Sequence, residues 1–339
     1  MRFTDSKKEE IRHYILEKIG SGEQHVIQAA AENYDINQNT VHAYINELMA
    51  EGIIEREGRG VYRLTTSEKK YKFKKDEPAF EHDMYVYTHY LLPCIEGLEK
   101  NVCDCWSYTL GEMTNNIMDH SEADAFEMHV IQDYMKTKVL LIDNGVGIFN
   151  KIRDYFGYET LDDAICELFK GKLTTDSKNH SGEGIFFSSR LMDSFYVLSG
   201  KKVFAGNKYR DDIVTELADS DFKGTCVFME LSNFSRKKPK DIFDSYTDED
   251  YCFTKTSIPV RYMFDDNPVS RSQAKRLVYR LEKFAEVTLD FDEVEWMGQG
   301  FAHQLFAVFA EEHPEVKLVP ANMNADVSKM YAHVVKKFN

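Results

Sequence analysis

One segment of the sequence joins an apolar run to a carboxylate and two glycines. Residues Val139 to Ile142 are aliphatic and predict a buried strand, which ends at Asp143 and is followed by Gly145 and Gly147. A carboxylate accepts hydrogen bonds from an exocyclic amine, and glycine lets the backbone approach a flat ligand closely. The spacing therefore predicts a site for a flat, amine-bearing ligand at the end of this strand.

Phosphate chemistry is indicated by a second segment that contains glycine. Gly182, Glu183 and Gly184 precede an apolar stretch, Phe186 to Met192, which predicts a helix. Backbone amides at the beginning of a helix bind phosphate oxygens. Thr225, in the last predicted strand of this region, is expected to add a hydroxyl beside the same cleft.

A third segment carries a row of polar residues. Glu112, Asn116 and His120 stand at four-residue intervals, so on an α-helix they fan over about 80° of the surface. The residues beside them form an apolar stripe: Trp106, Leu110, Met113 and Ile117. Because such a stripe belongs in a core, we expect the polar row next to it to face a cleft.

These segments, in this order, resemble the GHKL ATPase family, which includes gyrase, MutL, histidine kinases and one class of heat-shock chaperone. Residues 112–120 match the N box, 143–147 the first glycine box, 172–184 the lid with its second glycine motif, and 224–225 the final block. The resemblance implies a Bergerat-type α/β-sandwich ATPase domain with ATP and Mg²⁺ as cofactors. The alternative is that the glycines form turns and the polar row is a surface feature.

The resemblance also implies roles for individual residues. Asn116 is expected to hold Mg²⁺ through its amide oxygen, and Asp143 to accept a hydrogen bond from the adenine amino group with help from Thr225. Gly145 and Gly147 permit the close approach of the backbone. The remaining expected nucleotide contacts belong to the lid: Lys172, Thr174, Thr175, Gly182, Glu183 and Gly184, with Lys178 and His180 as further lid residues.

Two further residues have an expected role and an alternative one. Glu112 occupies the position at which chaperone, gyrase and anti-sigma kinase members of the family keep a general base. It is expected to activate water or a hydroxyl, and the alternative is that it only orients Asn116. Lys255 lies in a strand-like segment and is similar in context to a lysine that gyrase and MutL relatives extend to the γ-phosphate. Its alternative role is that of an ordinary surface lysine.

The first 66 residues predict three helices and a hairpin with a Gly-Arg-Gly tip, which resembles a bacterial winged helix-turn-helix. The expected DNA contacts are Asn39, Thr40 and His42 at base edges and Arg59 at phosphate. The chain has a net charge of −15, and residues 1–64 carry eleven acidic against eight basic residues. DNA binding is therefore expected to be local and salt-sensitive, and the alternative is a protein-docking module.

The C-terminal part alternates predicted helices and strands from Ser272 to Lys337, which is typical of a small α/β layer structure. It resembles a STAS domain, the fold of anti-sigma antagonists. Gln299 stands where the phosphorylated serine of such a domain is placed, so self-phosphorylation by that route is not expected. Residues 82–337 together resemble bacterial and archaeal ATP-binding proteins that end in a STAS-like domain of unknown function, and a protein partner of this domain is expected.

The expected organisation is that of a multidomain α/β protein, which agrees with a length of 339 residues. Its parts are a winged helix (1–66), a Lys-rich solvated linker (67–81), a GHKL ATP-binding domain (82–235), a connector (236–262) and a STAS-like domain (263–339). The longest aliphatic run is far shorter than a bilayer span, and the first helix lacks the apolar core of a signal peptide. The sequence therefore predicts a cytoplasmic protein without a membrane partner.

Three functions from different classes follow from these parts. The first is a transcriptional regulator that ATP and Mg²⁺ switch between states, with slow ATP hydrolysis. The second is an anti-sigma-like serine/threonine kinase that acts on a separate partner. The third is an ATP-dependent assembly protein that uses the winged helix for protein contacts, with a homodimer as one expected form.

Overall fold

The computed structural model describes residues 3–82, 84–172, 182–205, 215, 217, 223–264 and 266–338. Within these residues the chain forms three β-sheets together with the helices that cover them. No helix in these ranges combines the length and the apolar character needed to cross a membrane. The architecture is mixed α/β with several separate sheets, as predicted.

The N-terminal unit consists of three helices and a two-stranded antiparallel sheet. Its elements are α1 (Asp5–Gly20), α2 (Val26–Tyr34), α3 (Gln38–Ala50), β1 (Ile54–Gly58) and β2 (Val61–Leu64). Ile11, Ile15 and Ile19 recur on one side of α1 and are buried in one cluster with Val41 and Ile45 of α3. The predicted helices and hairpin are confirmed. Apolar residues at this spacing lie on one side of a helix and pack together in a core.

The central unit contains a six-stranded sheet. Its strands are β3 (Ser67–Lys74), β4 (Ala125–Gln132), β5 (Lys136–Asp143), β6 (Ser194–Ser199), β7 (Lys202–Ala205) and β8 (Cys226–Ser232). The order across the sheet is β3-β4-β5-β8-β6-β7, and every neighbouring pair is antiparallel. Val139 and Leu141 of β5 face the main core, whereas Leu140 faces a smaller buried cluster on the other side.

Helices pack against the main-core face of this sheet. Their bounds are α4 (Leu92–Ile95), α5 (Lys100–His120), α6 (Ile148–Phe156), α7 (Leu161–Lys170), α8 (Gly184–Leu191) and α9 (Pro239–Tyr246), preceded by a 3₁₀ turn (Pro78–Phe80) and a π-helical turn (Tyr87–Leu91). Trp106, Leu110 and Met113 of α5 are buried, as the apolar stripe predicts. The interruption predicted at Pro93 is wrong, because the backbone stays helical from the π-helical turn into α4, where proline is tolerated in the first turn.

Residues 67–74 are a strand, so the prediction of a solvated linker over residues 67–81 is wrong for this part. β3 pairs with β4 along its whole length. Phe73 is buried with its ring 4.7 Å from that of Phe126, and Tyr71 is half-buried on the same face. The lysines occupy exposed positions of this edge strand, a common feature of sheet edges. Only two residues of this segment, Tyr71 and Phe73, follow the alternation of a strand. The charged residues around them concealed this pattern in the sequence.

The C-terminal unit is built on a three-stranded parallel sheet. Its elements are β9 (Lys255–Pro259), α10 (Arg271–Val278), β10 (Glu286–Asp290), α11 (Gln299–His303), α12 (Ala310–Glu312), β11 (Lys317–Ala321) and α13 (Ala325–Phe338), with 3₁₀ turns at Val260–Met263 and Leu281–Lys283 and a π-helical turn at Gln304–Phe309. The strand order is β11-β10-β9. The alternation of helices and strands predicted from Ser272 onward is confirmed.

Strand β9 belongs to this parallel sheet, although the sequence assigns it to a connector over residues 236–262. Its first residue, Lys255, lies opposite Glu286 of β10. Thr256 and Ile258 alternate inward and are buried, which fixes the strand in the core of the C-terminal unit. The predicted strand is confirmed, but its pairing could not be predicted because parallel partners are separated by a long crossover in sequence.

Candidate functional site

The carboxylate of Asp143 lies at the end of β5 and is 4% exposed. Its Oδ1 atom accepts hydrogen bonds from the backbone N–H of Gly145 at 2.8 Å and of Thr225 at 3.2 Å. Burial raises the pKa of this carboxyl, while the two backbone donors and the Thr225 hydroxyl oppose the rise. The local chain therefore holds a buried hydrogen-bond acceptor in one fixed orientation.

Glycines surround this carboxylate because the backbone segments approach one another closely. A β-carbon at Gly145 would collide with the backbone of Ser121, and one at Gly224 would collide with the backbone of Asp143. Gly147 has φ +83° and precedes α6 as its N-cap. These glycines are required by the packing of the protein itself, before any ligand is considered.

A cavity of about 380 Å³ opens beside Asp143 and has the volume of a small-molecule site. We call it the α5–α8 cavity, after two of the helices that form it. The polar residues that line it are Glu112, Asn115, Asn116, His120, Ser121, Asp143, Lys151 and Thr225. The rest of the wall consists of Met113, Ile117, Ile148, Ile152, Leu168, Ile185, Phe186, Val197 and Val227, with Gly171, Gly182 and Gly184. An apolar wall with a few converging polar groups is typical of a ligand site.

The polar row of α5 faces the α5–α8 cavity. Glu112, Asn116 and His120 all line it. Asn116 Nδ2 contacts the sulfur of Met113 at 3.9 Å, so the amide oxygen is directed away from that contact. Amide oxygens are among the ligands that Mg²⁺ accepts, and Asn116 presents one such oxygen at the cavity wall.

Glu112 stands between the α5–α8 cavity and a second, more open groove. This groove of about 840 Å³ shares Glu112 and Asn115 with the cavity and continues to Lys238 and Lys240. We call it the α5 groove. Glu112 also lies against Gly184 at the beginning of α8, where a β-carbon would overlap its carboxylate. The carboxylate of Glu112 can therefore contact a ligand in the α5–α8 cavity and a group that enters through the α5 groove.

Lys172 is directed toward the C-terminal unit and does not line the α5–α8 cavity. Its ammonium donates a hydrogen bond to the carbonyl of Lys283 at 2.9 Å and lies 4.7 Å from the centre of the Phe284 ring. Burial is the largest cause of its lowered pKa. In this arrangement the ammonium group of Lys172 is bound to the C-terminal unit, and the phosphate contact expected of it stays a prediction.

Some of the other predicted nucleotide contacts line the cavity, and others do not. Gly182 and Gly184 line the cavity, and Glu183 between them is the N-cap of α8. Lys255 begins β9 and is not among the described residues that line the cavity. The remaining predicted lid contacts lie outside the described residues: Thr174, Thr175, Lys178 and His180.

The sequence analysis missed three of the elements that form the cavity wall, namely α6, α7 and β6, the last of which contributes Val197. Lys151 on α6 lines the cavity, and its Nζ lies 2.7 Å from Oε1 of Glu122, which lowers the pKa of that glutamate. Lys151 follows Gly147 by four residues, and this spacing could have indicated that it lies near the first glycine box. Leu168 on α7 forms part of the apolar wall, and its four-residue spacing from Ala164 marks an amphipathic helix.

The predicted DNA contacts lie at the surface of the N-terminal unit. Asn39, His42 and Arg59 are exposed, and Thr40 is half-buried. Helix α1 of this unit meets the central unit, since the ring of His13 lies 4.9 Å from that of Phe234. Helix α3 contains no lysine or arginine, so Arg59 is the only cation among the four predicted contacts.

Residues 273–328 match the family described as a STAS-like domain of unknown function (DUF4325). This match runs from α10 into the beginning of α13 and confirms the predicted STAS-like domain for these residues. It covers less than half of the chain and includes none of the described residues that line the α5–α8 cavity. No curated protein matches the chain.

Proposed function

We propose that the α5–α8 cavity binds ATP together with Mg²⁺, and that the central unit is a GHKL-type ATPase domain. The observation that carries this proposal is the buried carboxylate of Asp143, which two backbone amides orient beside a cavity of suitable volume. A fixed, buried acceptor of this kind suits the exocyclic amine of adenine. The apolar wall, with Ile117, Ile148 and Val227, suits the flat faces of the base.

The phosphates are assigned to the part of the cavity between α5 and α8. Gly182 and Gly184 line the cavity where α8 begins, and helix N-termini favour anions through their free amides and dipole. Asn116 would hold Mg²⁺, which neutralises phosphate charge when it is bound. Glu112 then serves as the general base that accepts a proton from an attacking water or hydroxyl.

The proposed output is a regulatory switch in which the N-terminal unit, interpreted as a winged helix, binds DNA. Its support is the exposure of Asn39 and His42 on α3 and of Arg59 in the turn between β1 and β2. A coupling of about 1 to 3 kcal/mol between the ATP and DNA sites would change DNA affinity roughly 5- to 150-fold.

A kinase that acts on a separate protein is the second candidate, and the α5 groove favours it. The groove reaches Glu112 from the outside while the α5–α8 cavity reaches it from the inside. A hydroxyl on a partner could therefore approach the general base while nucleotide stays bound. Labelled phosphate that appears on a partner protein only in the presence of wild-type chain, and not with Glu112→Ala, would favour this candidate over the regulator.

Calorimetry and a turnover assay with Mg²⁺ and ATP test the shared part of both candidates. Glu112→Ala is expected to keep ATP affinity and to lose about 10²- to 10⁴-fold in hydrolysis, the usual contribution of a general base. Asn116→Ala is expected to lose the Mg²⁺-dependent part of the affinity. Glu311→Ala and Asn46→Ala are matched controls at exposed positions in the C-terminal and N-terminal units. The absence of heat with wild-type protein at millimolar ATP would overturn the proposal.

A further inference from the structure

Residues 170–172 link α7 to the wall of the α5–α8 cavity, and the C-terminal unit holds this link. Gly171 lines the cavity, has φ +80°, and has no space for a β-carbon against the ring of Phe253. Thr256 of β9 donates its hydroxyl hydrogen to the carbonyl of Lys170 at 2.7 Å. The position of this part of the cavity wall therefore depends on the C-terminal unit.

Two buried charged side chains and one partly buried arginine join the two units beside this wall. Lys170 Nζ lies 2.6 Å from Oε1 of Glu167, and Nη1 of Arg280 lies 3.2 Å from Oε2 of the same carboxylate. The side chains of Lys170, Glu167 and Arg280 are 1%, 5% and 13% exposed. Lys170 also donates to the carbonyls of Arg276 and Tyr279 at 3.0 and 2.7 Å. Charges enclosed in this way interact strongly, because water screens them little.

Arg280 extends from this cluster to Lys172, the residue that follows Gly171 of the cavity wall. Its Nη2 donates to the carbonyl of Lys172 at 3.1 Å while its Nη1 binds Glu167. Arg280 and Lys172 both have left-handed backbone conformations, with φ of 65° and 54°. Side chains other than glycine rarely adopt this region, and they persist there only when the surroundings hold them. The hydrogen bond between these two residues is one such restraint.

The second wall of the cavity is attached to the same strand of the C-terminal unit. Helix α8 contributes Gly184 and Phe186 to the cavity. Near its end, Nη2 of Arg190 donates to the carbonyl of Ser257 in β9 at 2.8 Å. Strand β9 therefore contacts both the end of α7 and α8, so a shift of the C-terminal unit displaces two walls of the cavity together.

We propose that Arg280 is a positioning residue for the nucleotide cavity, through which the C-terminal unit sets nucleotide affinity. This inference rests on the proposed function, because it takes ATP as the ligand. The docked C-terminal unit holds Gly171 and Lys172 in place, so ATP binds the docked arrangement more tightly than the undocked one. By linkage, ATP then stabilises docking by the same factor by which docking strengthens ATP binding. A signal that loosens residues 276–283 therefore releases nucleotide.

Arg280 is the member of the charged cluster that is best suited to a test. Removal of Glu167 would leave two buried cations, whereas removal of Arg280 leaves Lys170 and Glu167 as a neutral pair. Arg280→Lys keeps the charge but loses the planar fork that reaches two acceptors at once. Arg271, exposed at the beginning of α10, provides a matched arginine-to-alanine control in the same unit.

The experiment measures ATP affinity and turnover for the full-length wild type, Arg280→Ala, Arg280→Lys and Arg271→Ala. Arg280→Ala is expected to weaken affinity about fivefold or more, the lower end of typical site-to-site couplings, and to keep turnover at saturating ATP. Arg280→Lys is expected to be intermediate, and Arg271→Ala to match the wild type. Hydrogen exchange on the wild type adds a readout that does not depend on variant folding. ATP is expected to slow exchange at residues 276–283 and to leave residues 310–316 unchanged.

The outcomes separate this inference from the proposed function. If the wild type binds no ATP, the proposed function fails and the inference fails with it. If the wild type binds ATP but Arg280→Ala binds as tightly as Arg271→Ala, the inference alone is overturned. If Arg280→Ala does not fold, unchanged hydrogen exchange at residues 276–283 of the wild type with ATP overturns it.

Discussion

The carboxylate of Glu112 on α5 lies directly against Gly184, the first residue of α8, with no space between them for a β-carbon. The polar row of α5 thus meets the glycine-containing start of α8 at the proposed phosphate end of the cavity. Because the atom nearest to Gly184 is the end of a flexible side chain, a methyl group there would displace Glu112 more easily than the backbone.

Gly184→Ala is therefore expected to impair catalysis without unfolding the protein. The overlap falls on the end of a flexible glutamate side chain, which can rotate away without a shift of the backbone. We expect ATP turnover to fall at least tenfold, because a general base must lie within hydrogen-bond reach of its proton. Turnover, ATP affinity and Tm are measured beside Gly97→Ala, which has open space around its Cα. Equal turnover in the two variants would contradict the assignment of Glu112 as the base.

Asp143→Asn is expected to raise stability and to weaken ATP binding at pH 7. Burial raises the pKa of Asp143 above its ordinary value, so the folded state holds the proton more tightly than the unfolded state. The folded protein accordingly loses stability as pH rises through the interval between the two pKa values. The amide removes this charge, so Tm rises at pH 7, and the difference shrinks as pH falls and Asp143 becomes protonated.

The same substitution removes the charged acceptor proposed for adenine. A hydrogen bond to a charged group contributes about 1.5 to 3 kcal/mol, so ATP affinity is expected to fall roughly 10- to 150-fold. Thermal unfolding from pH 4 to 8 and calorimetry with ATP are the two measurements, and Asp292→Asn at an exposed position is the control. A lower Tm at pH 7 together with unchanged affinity would contradict both parts of the prediction.

Phe73→Ala tests whether residues 67–74 form part of the central sheet. The ring of Phe73 is buried between Phe126 and Tyr90, so its loss is expected to cost about 3 to 5 kcal/mol of unfolding free energy. Trp106 lies in the same core, and its fluorescence follows the transition in denaturant. Lys72→Ala is the control, because its exposed ion pair contributes less than about 1 kcal/mol. If Phe73→Ala and Lys72→Ala have the same unfolding free energy, residues 67–74 do not form part of the central sheet and are a linker.

The sequence predicted several elements in which one strong period governs a segment, although it missed the amphipathic helices α6 and α7. The stripe of α5 and the isoleucines of α1 are examples, because each apolar residue returns to the same side of the helix and is buried. It failed where the period is carried by two residues, as in β3, and where pairing partners lie far apart, as for β9 and β10. Partner choice depends on the packing of the whole chain, which local spacing does not encode.

The candidate site also contains residues that local spacing predicts and residues that it does not predict. Asp143, Asn116 and Glu112 were found because glycines and helical spacing mark them, and all three line one cavity. The cluster of Lys170, Glu167 and Arg280 was not predicted, because lysine, glutamate and arginine side chains are normally exposed to solvent. These side chains are enclosed because the C-terminal unit docks against α7. No motif in the sequence indicates that docking.

DNA binding by the N-terminal unit is expected to depend on different residues for affinity and for sequence preference. Arg59 is exposed at the hairpin turn, so Arg59→Ala is expected to weaken binding to all fragments alike and to reduce the salt slope by about one. Asn39→Ala and His42→Ala are expected to reduce the preference for specific fragments by about 1 to 3 kcal/mol, because these side chains face base edges in the proposed complex.

Fluorescence anisotropy with pooled genomic fragments, with and without ATP and Mg²⁺, checks this prediction, and Lys240→Ala removes an exposed cation from the central unit as a control. Helix α3 has no basic residue of its own, so few phosphate contacts are available and binding is expected to be lost at moderate salt. A wild-type affinity that none of the three N-terminal variants changes would contradict the DNA interface. Nucleotide-dependent oligomers without any DNA binding would instead assign this surface to protein contacts, since an exposed α3 serves either partner.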